Sequence, residues 1–185
     1  MFSCDLDFTG KWWDSDVRIA LYQPDIAPNA GAIFRLAAVL GVEVDLIEPA
    51  GFVMTDRRLK RVGLDYLDKV NLTRHVSWQS YSALRNAGNM QAGRLLLLTT
   101  SGGDRYIDFD YHANDTLLLG RETAGVPAEV HNAADARLRI PMSAGQRSLN
   151  IAVAAAMVLG EAFRQTDLWP DGQQKCSELL REEQN

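Results

Sequence analysis

Residues 139–150, Arg-Ile-Pro-Met-Ser-Ala-Gly-Gln-Arg-Ser-Leu-Asn, form the segment that decides how this chain is interpreted. A short apolar strand end leads into a polar loop, and an alanine-rich helix is predicted from Leu149 to about Gln165. A helix start carries unpartnered N–H groups and partial positive charge, so loops at such positions often bind ligands. Ser148 and Asn150 lie at this start, and two interpretations stay open for them: ligand binding, or capping of the helix.

Upstream of this segment, strands and helices alternate along the chain. Runs such as Leu95-Leu-Leu-Leu98 are continuously apolar, which is typical of strands buried on both faces of a parallel sheet. Helices are predicted over about 30–40, ended by Gly41, and over about 77–88. This alternation predicts an α/β fold, with a mostly parallel sheet and helices on both of its faces. The predicted strands are 17–22, 42–47, 71–76, 95–99, 116–119 and 138–140.

Length and composition set the domain count and the expected environment. The 185 residues, of which 46% are hydrophobic, predict one domain over 17–168, with an N-terminal extension, 1–16, and a polar tail, 169–185. No apolar run approaches the roughly 20 residues that span a bilayer, and the N-terminus lacks a secretory signal pattern, so we expect no membrane segment and a cytoplasmic location. Cys4 and Cys176 lack metal-ligand spacing and the three histidines are scattered, so no metal site is expected.

The charge distribution points to a local rather than a global basic surface. The net charge of −5 argues against binding of nucleic acid by bulk electrostatic attraction. Residues 56–61 nevertheless carry four positive charges and one negative charge. This cluster, which includes Arg57, Arg58 and Arg61, either contacts an RNA backbone or is a solvated helix face.

Loops at the predicted carboxyl ends of the strands contain the candidate functional residues, because ligands of parallel α/β sheets bind there. Glu122 follows a buried strand directly, between two glycines that allow close approach of the backbone to a ligand. Arg35 lies in an apolar helical run, either as a phosphate clamp or as a salt-bridged surface residue. The dinucleotide, phosphate-loop and hydrolase-elbow motifs are absent from the sequence, which argues against a nicotinamide enzyme or a nucleoside triphosphatase. The four loops are 23–31, 98–103, 120–127 and 140–150.

Three of these loops carry motifs that resemble, in order and spacing, those of the SpoU-type, knotted (SPOUT) class of RNA ribose methyltransferases. The motifs are Asn29-x-Gly31-x-x-x-Arg35, Leu119-Gly-Arg-Glu-Thr-Ala-Gly-Val-Pro127, and Ile140-Pro-Met142 through Ser148-Leu-Asn150. Within that class, segments 25–35, 48–52, 63–66 and 72–75 are most similar to the tRNA wobble-nucleotide 2′-O-methyltransferase (TrmL, YibK-like) family. The resemblance covers about residues 17–168.

The resemblance implies a fold, an activity and an assembly. The implied fold is the α/β knot, with a C-terminal trefoil knot within 95–165, and the implied assembly is a homodimer whose active site lies at the subunit interface. The implied activity is methyl transfer from S-adenosyl-L-methionine to a ribose 2′-hydroxyl of tRNA, at wobble position 34, without a metal. The alternatives are another tRNA position or rRNA, a nucleotide-dependent dehydrogenase, and a non-catalytic RNA-binding dimer.

The resemblance also assigns roles to individual residues. Arg35 is expected to activate the hydroxyl, or to anchor an RNA phosphate and stabilise the forming alkoxide. The expected cofactor contacts are Leu98, Gly120, Ile140, Met142, Ser148 and Leu149. The expected catalytic residues are Arg35, Asn29, Glu122, Ser148 and Asn150, and the expected RNA contacts are Arg35, Arg57, Arg58 and Arg61.

Overall fold

A computed structural model describes residues 17–53, 66, 69–88, 90 and 93–170 of the chain. Several features singled out from the sequence lie outside these described residues. They are the extension 1–16, the basic residues Arg57, Arg58 and Arg61, the part of the tail beyond residue 170, and both cysteines.

In the described part of the chain, seven strands form the centre of the fold. They are β1 (Arg18–Tyr22), β2 (Glu43–Ile47), β3 (Leu72–His75), β4 (Leu95–Leu98), β5 (Asp104–Arg105), β6 (Thr116–Leu119) and β7 (Ala136–Arg139). They make one sheet in the order β3-β2-β1-β6-β4-β7-β5, and every pairing between neighbouring strands is parallel. The predicted parallel sheet is therefore confirmed, and the carboxyl ends of its strands lie along one edge. The strand β5 was not predicted, because its two polar residues carry no apolar pattern.

Within the described residues, four helices cover the two faces of the sheet, and the prediction of helices on both faces is confirmed. They are α1 (Ala27–Leu40), α2 (Trp78–Asn86), α3 (Ala128–Asn132) and α4 (Ile151–Thr166). One hydrophobic core joins α1 and α4 to the sheet, and Leu21, Phe34 and Phe163 are among its fully buried members. A second core, on the opposite face, joins Tyr81 of α2 and Val130 of α3 to the sheet. Burial of apolar surface on both faces stabilises this three-layer arrangement.

The ends of two helices differ from the predicted ones for local reasons. Helix α1 begins at Ala27 rather than near residue 30, because Pro28 fits in a first helical turn, where its missing N–H is not needed. Helix α4 begins at Ile151 rather than at Leu149, because Asn150 is its cap. The end of α1 at Gly41 is as predicted, with the glycine in the left-handed conformation at φ +70°.

Helix α4 buries one side and leaves an apolar side exposed. The sequence of this helix has two apolar stripes at helical spacing, and it predicts that both are buried: Ile151-Ala155-Val158-Ala162 and Ala152-Ala156-Leu159-Phe163. Val158 and Phe163 are buried in the core, as this pattern predicts. Ala156 is exposed instead, although the sequence places it in a stripe expected to be buried. Val153 is 51% exposed and Met157 36% exposed on the same helix. Among the described residues, no helix is both long and apolar enough to cross a membrane.

Candidate functional site

A cavity of about 760 Å³ opens at the carboxyl edge of the sheet, where the loops after β4, β6 and β7 meet. Its volume lies within the roughly 300–1,000 Å³ that is typical of small-molecule sites. The predicted cofactor contacts, which come from three loops, all line this cavity: Leu98, Gly120, Ile140, Met142, Ser148 and Leu149. Loops that are far apart in the sequence therefore form one concave surface, as the parallel topology predicts.

A tight turn after β6 forms one wall of the cavity. The backbone N–H of Arg121 donates to the carbonyl of Gly125 at 2.9 Å, and the return bond is 2.8 Å. Gly125 has φ +65°, and a Cβ atom on Gly120 would lie 2.8 Å from the carbonyl carbon of Gly125. Only glycine fits these two positions without strain, so the turn can bring its backbone close to a ligand.

Three of the predicted catalytic residues are joined by hydrogen bonds across three loops. The side-chain amide of Asn29 donates to Oε1 of Glu122 at 3.1 Å, and Nδ2 of Asn150 donates to Oδ1 of Asn29 at 2.9 Å. All three residues line the cavity, as does Ser148. The fold thus brings four of the five predicted catalytic residues to one place.

The sequence left two interpretations open for Asn150, helix capping and a place at a ligand site, and the structure is consistent with both. Its Oδ1 accepts hydrogen bonds from the backbone N–H groups of Ala152 and Val153, at 2.9 and 3.3 Å, so the residue caps α4. Its Nδ2 points away from the helix and reaches Asn29. The cap therefore also fixes the side chain that contacts the cavity residues.

Arg35 lies apart from the other predicted catalytic residues. It is exposed on α1 and does not line the cavity. Its guanidinium carbon is 5.1 Å from the ring centre of Tyr66, and Nζ of Lys69 is 5.5 Å from the same ring centre. A cation over an aromatic face is attracted by the ring quadrupole. No pattern in the sequence pairs Tyr66 with Arg35, because the two residues lie in different parts of the chain.

Asp25 is a further residue of the site that the sequence reasoning missed. Its carboxylate accepts hydrogen bonds from the guanidinium of Arg121, at 2.7 Å for the shortest, and from Thr123. Donation by Arg121, followed by that of Thr123, lowers the pKa of Asp25 below its ordinary value. The carboxylate is therefore charged at neutral pH. A lone aspartate between two prolines has no sequence pattern that would have revealed this role.

The described part of the chain holds no group of three or more His, Cys, Asp or Glu residues that could bind a metal ion. The polar groups of the cavity are instead amides, hydroxyls, backbone groups and single charged side chains. Such a surface suits an organic ligand that is held by backbone and amide hydrogen bonds.

Comparison with known proteins gives consistent similarities to one family, one relative and two solved structures. The model of the SpoU rRNA Methylase family matches residues 16–160. A tRNA (cytidine(34)-2′-O)-methyltransferase from Beijerinckia indica is 55% identical over 148 residues, which cover 80% of this chain and 90% of that protein. A solved structure concerned with 2-OH methylation of C/U34 on tRNA is 38% identical, with a TM-score of 0.73, over 80% of this chain and 95% of the other. The SpoU methyltransferase AviRb from Streptomyces viridochromogenes, solved with its cofactor AdoMet, is 29% identical, with a TM-score of 0.71, over 86% of this chain and 64% of the other.

Proposed function

Since this chain belongs to the SpoU rRNA Methylase family, we propose that it methylates the ribose 2′-hydroxyl of the wobble nucleotide, C/U34, of tRNA, with S-adenosylmethionine as the donor. The observation that carries the proposal is the convergence of the three motif loops on one cavity, where Glu122, Asn29 and Asn150 are bonded to one another. The carboxyl edge of a parallel sheet is where such a site is expected.

The cavity fits S-adenosylmethionine in size and in chemistry. Its walls combine apolar side chains, such as Leu98 and Ile140, with the backbone of the turn between Gly120 and Gly125. When bound, S-adenosylmethionine supplies a methyl group that its sulfonium already activates, so no metal is needed for the transfer. The residues that would hold it are Leu98, Gly120, Ile140, Met142, Ser148 and Leu149.

Asn29 and Asn150 would orient the acceptor nucleotide. An amide nitrogen carries two N–H groups, and each of these residues uses one of them in the described hydrogen bonds. The second N–H of each side chain is left to donate to an oxygen of the nucleotide. One oxygen of Glu122 accepts a hydrogen bond from the loop before α1 and the other accepts one from the first turn of α1, so Glu122 holds the start of that helix in place. Correct alignment of donor and acceptor supplies a large part of the barrier reduction in such a transfer.

Arg35 would act by its charge. Its guanidinium is always protonated in proteins, so it is better suited to bind an RNA phosphate or to stabilise the forming alkoxide than to accept a proton. The cation–π contact with Tyr66 supports this role, because it holds the guanidinium near the ring without using a carboxylate partner. The cluster Arg57, Arg58 and Arg61, outside the described residues, would add contacts to the RNA backbone.

We also propose that the protein works as a homodimer, with the active site at the subunit interface. Two observations support this: Val153 and Met157 expose an apolar side of α4, with Leu149 42% exposed just before the helix, and Arg35 lies outside the cavity of its own chain. A second copy would cover the apolar side of α4 and bring its own Arg35 towards the cavity.

Mixed dimers test this arrangement. Arg35→Ala should be inactive alone and Asn150→Ala should keep about a tenth of the wild-type rate, but an equal mixture of the two should recover about a quarter of that rate, because half of the dimers then hold one intact site. A mixture that recovers no more than the average of its two components, when differently tagged copies show that the chains have exchanged, would mean that Arg35 serves its own chain.

Two further features follow from the family. We propose a trefoil knot within 95–165, supported by the meeting of the loops after β4, β6 and β7 around one cavity. Single-molecule stretching from residues 17 and 168 should then leave an unfolded length shorter than that of an unknotted chain.

We also propose that the protein is located in the cytoplasm, since the relatives that it matches are named as tRNA methyltransferases. Cell fractionation checks this location.

Nucleoside mass spectrometry of tRNA tests the proposed function directly. Cells without this protein should lack the 2′-O-methylated nucleoside at position 34, and the purified protein should restore it. Arg35→Ala should lose methyl transfer while calorimetry finds its binding of S-adenosylmethionine nearly unchanged. Normal methylation at position 34 without the protein, together with a missing methyl group elsewhere in tRNA or rRNA, would redirect the substrate. Near-normal turnover by Arg35→Ala would refute the role of that residue.

A further inference from the structure

We infer that Asp25 and Arg121 are positioning residues for methyl transfer, because together they fasten the loop before α1 to the loop after β6. We call this ion pair the Asp25–Arg121 latch. The inference rests on the proposed function, and it concerns the coupling between the cofactor cavity and the residues that orient the acceptor.

The latch is a multidentate contact between residues that are 96 positions apart in the sequence. Arg121 donates from Nε at 3.1 Å and from Nη2 at 2.7 Å, both to Oδ1 of Asp25. Thr123 donates to Oδ2 through its hydroxyl and through its backbone N–H, the latter at 3.3 Å. Charge-assisted hydrogen bonds of this kind are about twice as strong as neutral ones. The side chain of Asp25 is 14% exposed and that of Arg121 is 41% exposed, so solvent screens part of this ion pair.

Each of the two loops supplies a carboxylate that accepts hydrogen bonds from the other loop. The carboxylate of Asp25 accepts from the loop after β6, and the carboxylate of Glu122 in turn accepts the backbone N–H of Asp25 at 2.8 Å. The other oxygen of Glu122 accepts from Asn29. A shift of the loop before α1 therefore changes both the position of Glu122 and that of Asn29.

The loop before α1 is also supported on its other side. The backbone N–H of Gly51 donates to the carbonyl of Pro24 at 2.9 Å. A Cβ atom on Gly51 would lie 3.0 Å from the Cα atom and from the carbonyl oxygen of Asp25. Asp25 is thus held between Gly51 and the turn after β6, so it has little freedom to move without breaking the latch.

The latch connects the loop that lines the cofactor cavity to the helix that carries the proposed RNA-binding residues. Arg121, Glu122 and Thr123 line the cavity that fits the methyl donor. Helix α1 begins two residues after Asp25 and carries Asn29 and Arg35, which are proposed to act on the RNA. Loss of the latch should consequently misalign the donor side and the acceptor side, while the sheet beneath both loops stays intact.

Matched variants test the latch in the full-length protein. Asp25→Asn and Arg121→Gln each remove one charge, and the exchange Asp25→Arg with Arg121→Asp restores an ion pair of reversed polarity. Asp108→Asn is the control, because Asp108 pairs with Arg105 at 3.3 Å in an exposed contact outside the cavity. The measurements are kcat and KM on unmodified tRNA, the Kd of S-adenosylmethionine by calorimetry, and the melting temperature of each variant.

Each single variant should lower kcat about ten-fold, the effect of losing one charge-assisted hydrogen bond at the site, with a change in KM for tRNA below about two-fold. The Kd of S-adenosylmethionine should rise about three-fold, because the wall of its cavity loosens. The exchanged pair should recover part of kcat, which a purely structural loss would not allow, and Asp108→Asn should match the wild type.

Unchanged kcat in both single variants would overturn the latch, as would a loss of kcat that only follows the fraction of unfolded protein. The wild-type protein reports separately on the proposed function. If it methylates no tRNA, that function fails while the latch is still decided by the Kd of S-adenosylmethionine, and an unchanged Kd in Asp25→Asn would then overturn the latch.

Discussion

Two aspartates of this protein are paired with arginines in contrasting surroundings. Asp45 lies within β2 and is fully buried, whereas Asp25 lies in the loop before α1 and is bonded to the cavity residues Arg121 and Thr123. Asp45 accepts from Nε of Arg18 at 3.0 Å and is 2.7 Å from Nε2 of His75. The two clusters use the same chemistry, but they differ in what surrounds them and in what their partners contact.

The cluster around Asp45 stabilises the fold. His75 is buried beside it, and the ring of Tyr81 lies edge-on to His75 with 5.1 Å between ring centres. Burial, and then the negative charge of Asp45, raises the pKa of Tyr81 to about 12. These groups lie between the sheet and α2, and none of them lines the cavity. The charged groups of this cluster therefore pair with one another and do not contact the cavity.

The cluster around Asp25 instead joins loops whose other side chains face the cavity. Its bonds cross between elements, and they leave donors of Asn29 and Asn150 for a ligand. Both clusters contain an ion pair, so the ion pair alone does not show what a cluster does. The degree of burial, and whether the partners line the cavity, distinguish the cluster that stabilises the fold from the one that acts at the site. Variants in the two clusters should accordingly differ in whether they change stability or rate.

The largest expected effect is on stability, at Asp45. Asp45→Asn should lower the free energy of unfolding by about 3 kcal/mol, because it removes the buried carboxylate that pairs with Arg18 and leaves Glu43 as the anionic partner of that guanidinium. Asp25→Asn should cost at most about 1 kcal/mol, as is typical of exposed pairs. Urea unfolding followed by circular dichroism measures both values. Equal losses in the two variants would remove the distinction between the clusters.

Asn150 should show both kinds of effect, and two variants can separate them. Asn150→Ala loses the cap and the bond to Asn29, so we expect about 1 kcal/mol lower stability together with about ten-fold lower kcat. Asn150→Asp keeps an oxygen that can cap α4 but has no N–H to donate to Asn29. It should therefore keep its stability and still lose turnover. Full turnover of the aspartate variant would leave capping as the residue's only role.

A smaller effect is expected at the stack of Tyr66 and Arg35. Tyr66→Leu should raise KM for tRNA about three-fold, since an exposed cation–π contact contributes about 0.5–1 kcal/mol. Tyr66→Phe retains the ring and should behave like the wild type. Steady-state kinetics on tRNA compare the two variants. Equal KM values for the leucine and phenylalanine variants would show that the ring does not orient Arg35.

The smallest expected effect is the pH dependence of the latch. Because Arg121 and Thr123 lower the pKa of Asp25 from its ordinary value of 3.8, the folded state favours the deprotonated carboxylate. This stabilisation is complete well above pH 3.8 and is lost as the pH falls through the lowered pKa. The difference in unfolding free energy between wild type and Asp25→Asn should consequently disappear in acid. A difference that stays constant below about pH 3 would contradict the assigned pair.

Features that depend on neighbouring residues could be predicted from the sequence. The apolar runs of β4 and β6 identified buried parallel strands, and Gly41 marked the end of α1. The six residues expected to contact a cofactor line one cavity, because each follows a strand end and parallel strands end at the same edge. Their role in binding S-adenosylmethionine stays a prediction until a ligand is observed.

Features that depend on distant pairs could not be predicted in this way. Asp25 and Arg121 carry no local pattern that relates them, and their pairing follows only from the order of the strands. The same holds for Asp45 and His75, which come together because β2 and β3 are neighbours. The separation of Arg35 from the cavity could not be predicted from the sequence either, since periodicity predicts which side of a helix is exposed but not what lies beside that side.

The uncovered apolar side of α4 has a consequence for how the protein would behave in dilute solution. If a second copy completes each site, the rate per molecule becomes a function of protein concentration, and dilution below the dissociation constant switches the protein off without unfolding it. The amount of protein in the cell would then set a threshold for wobble methylation rather than a simple proportional rate.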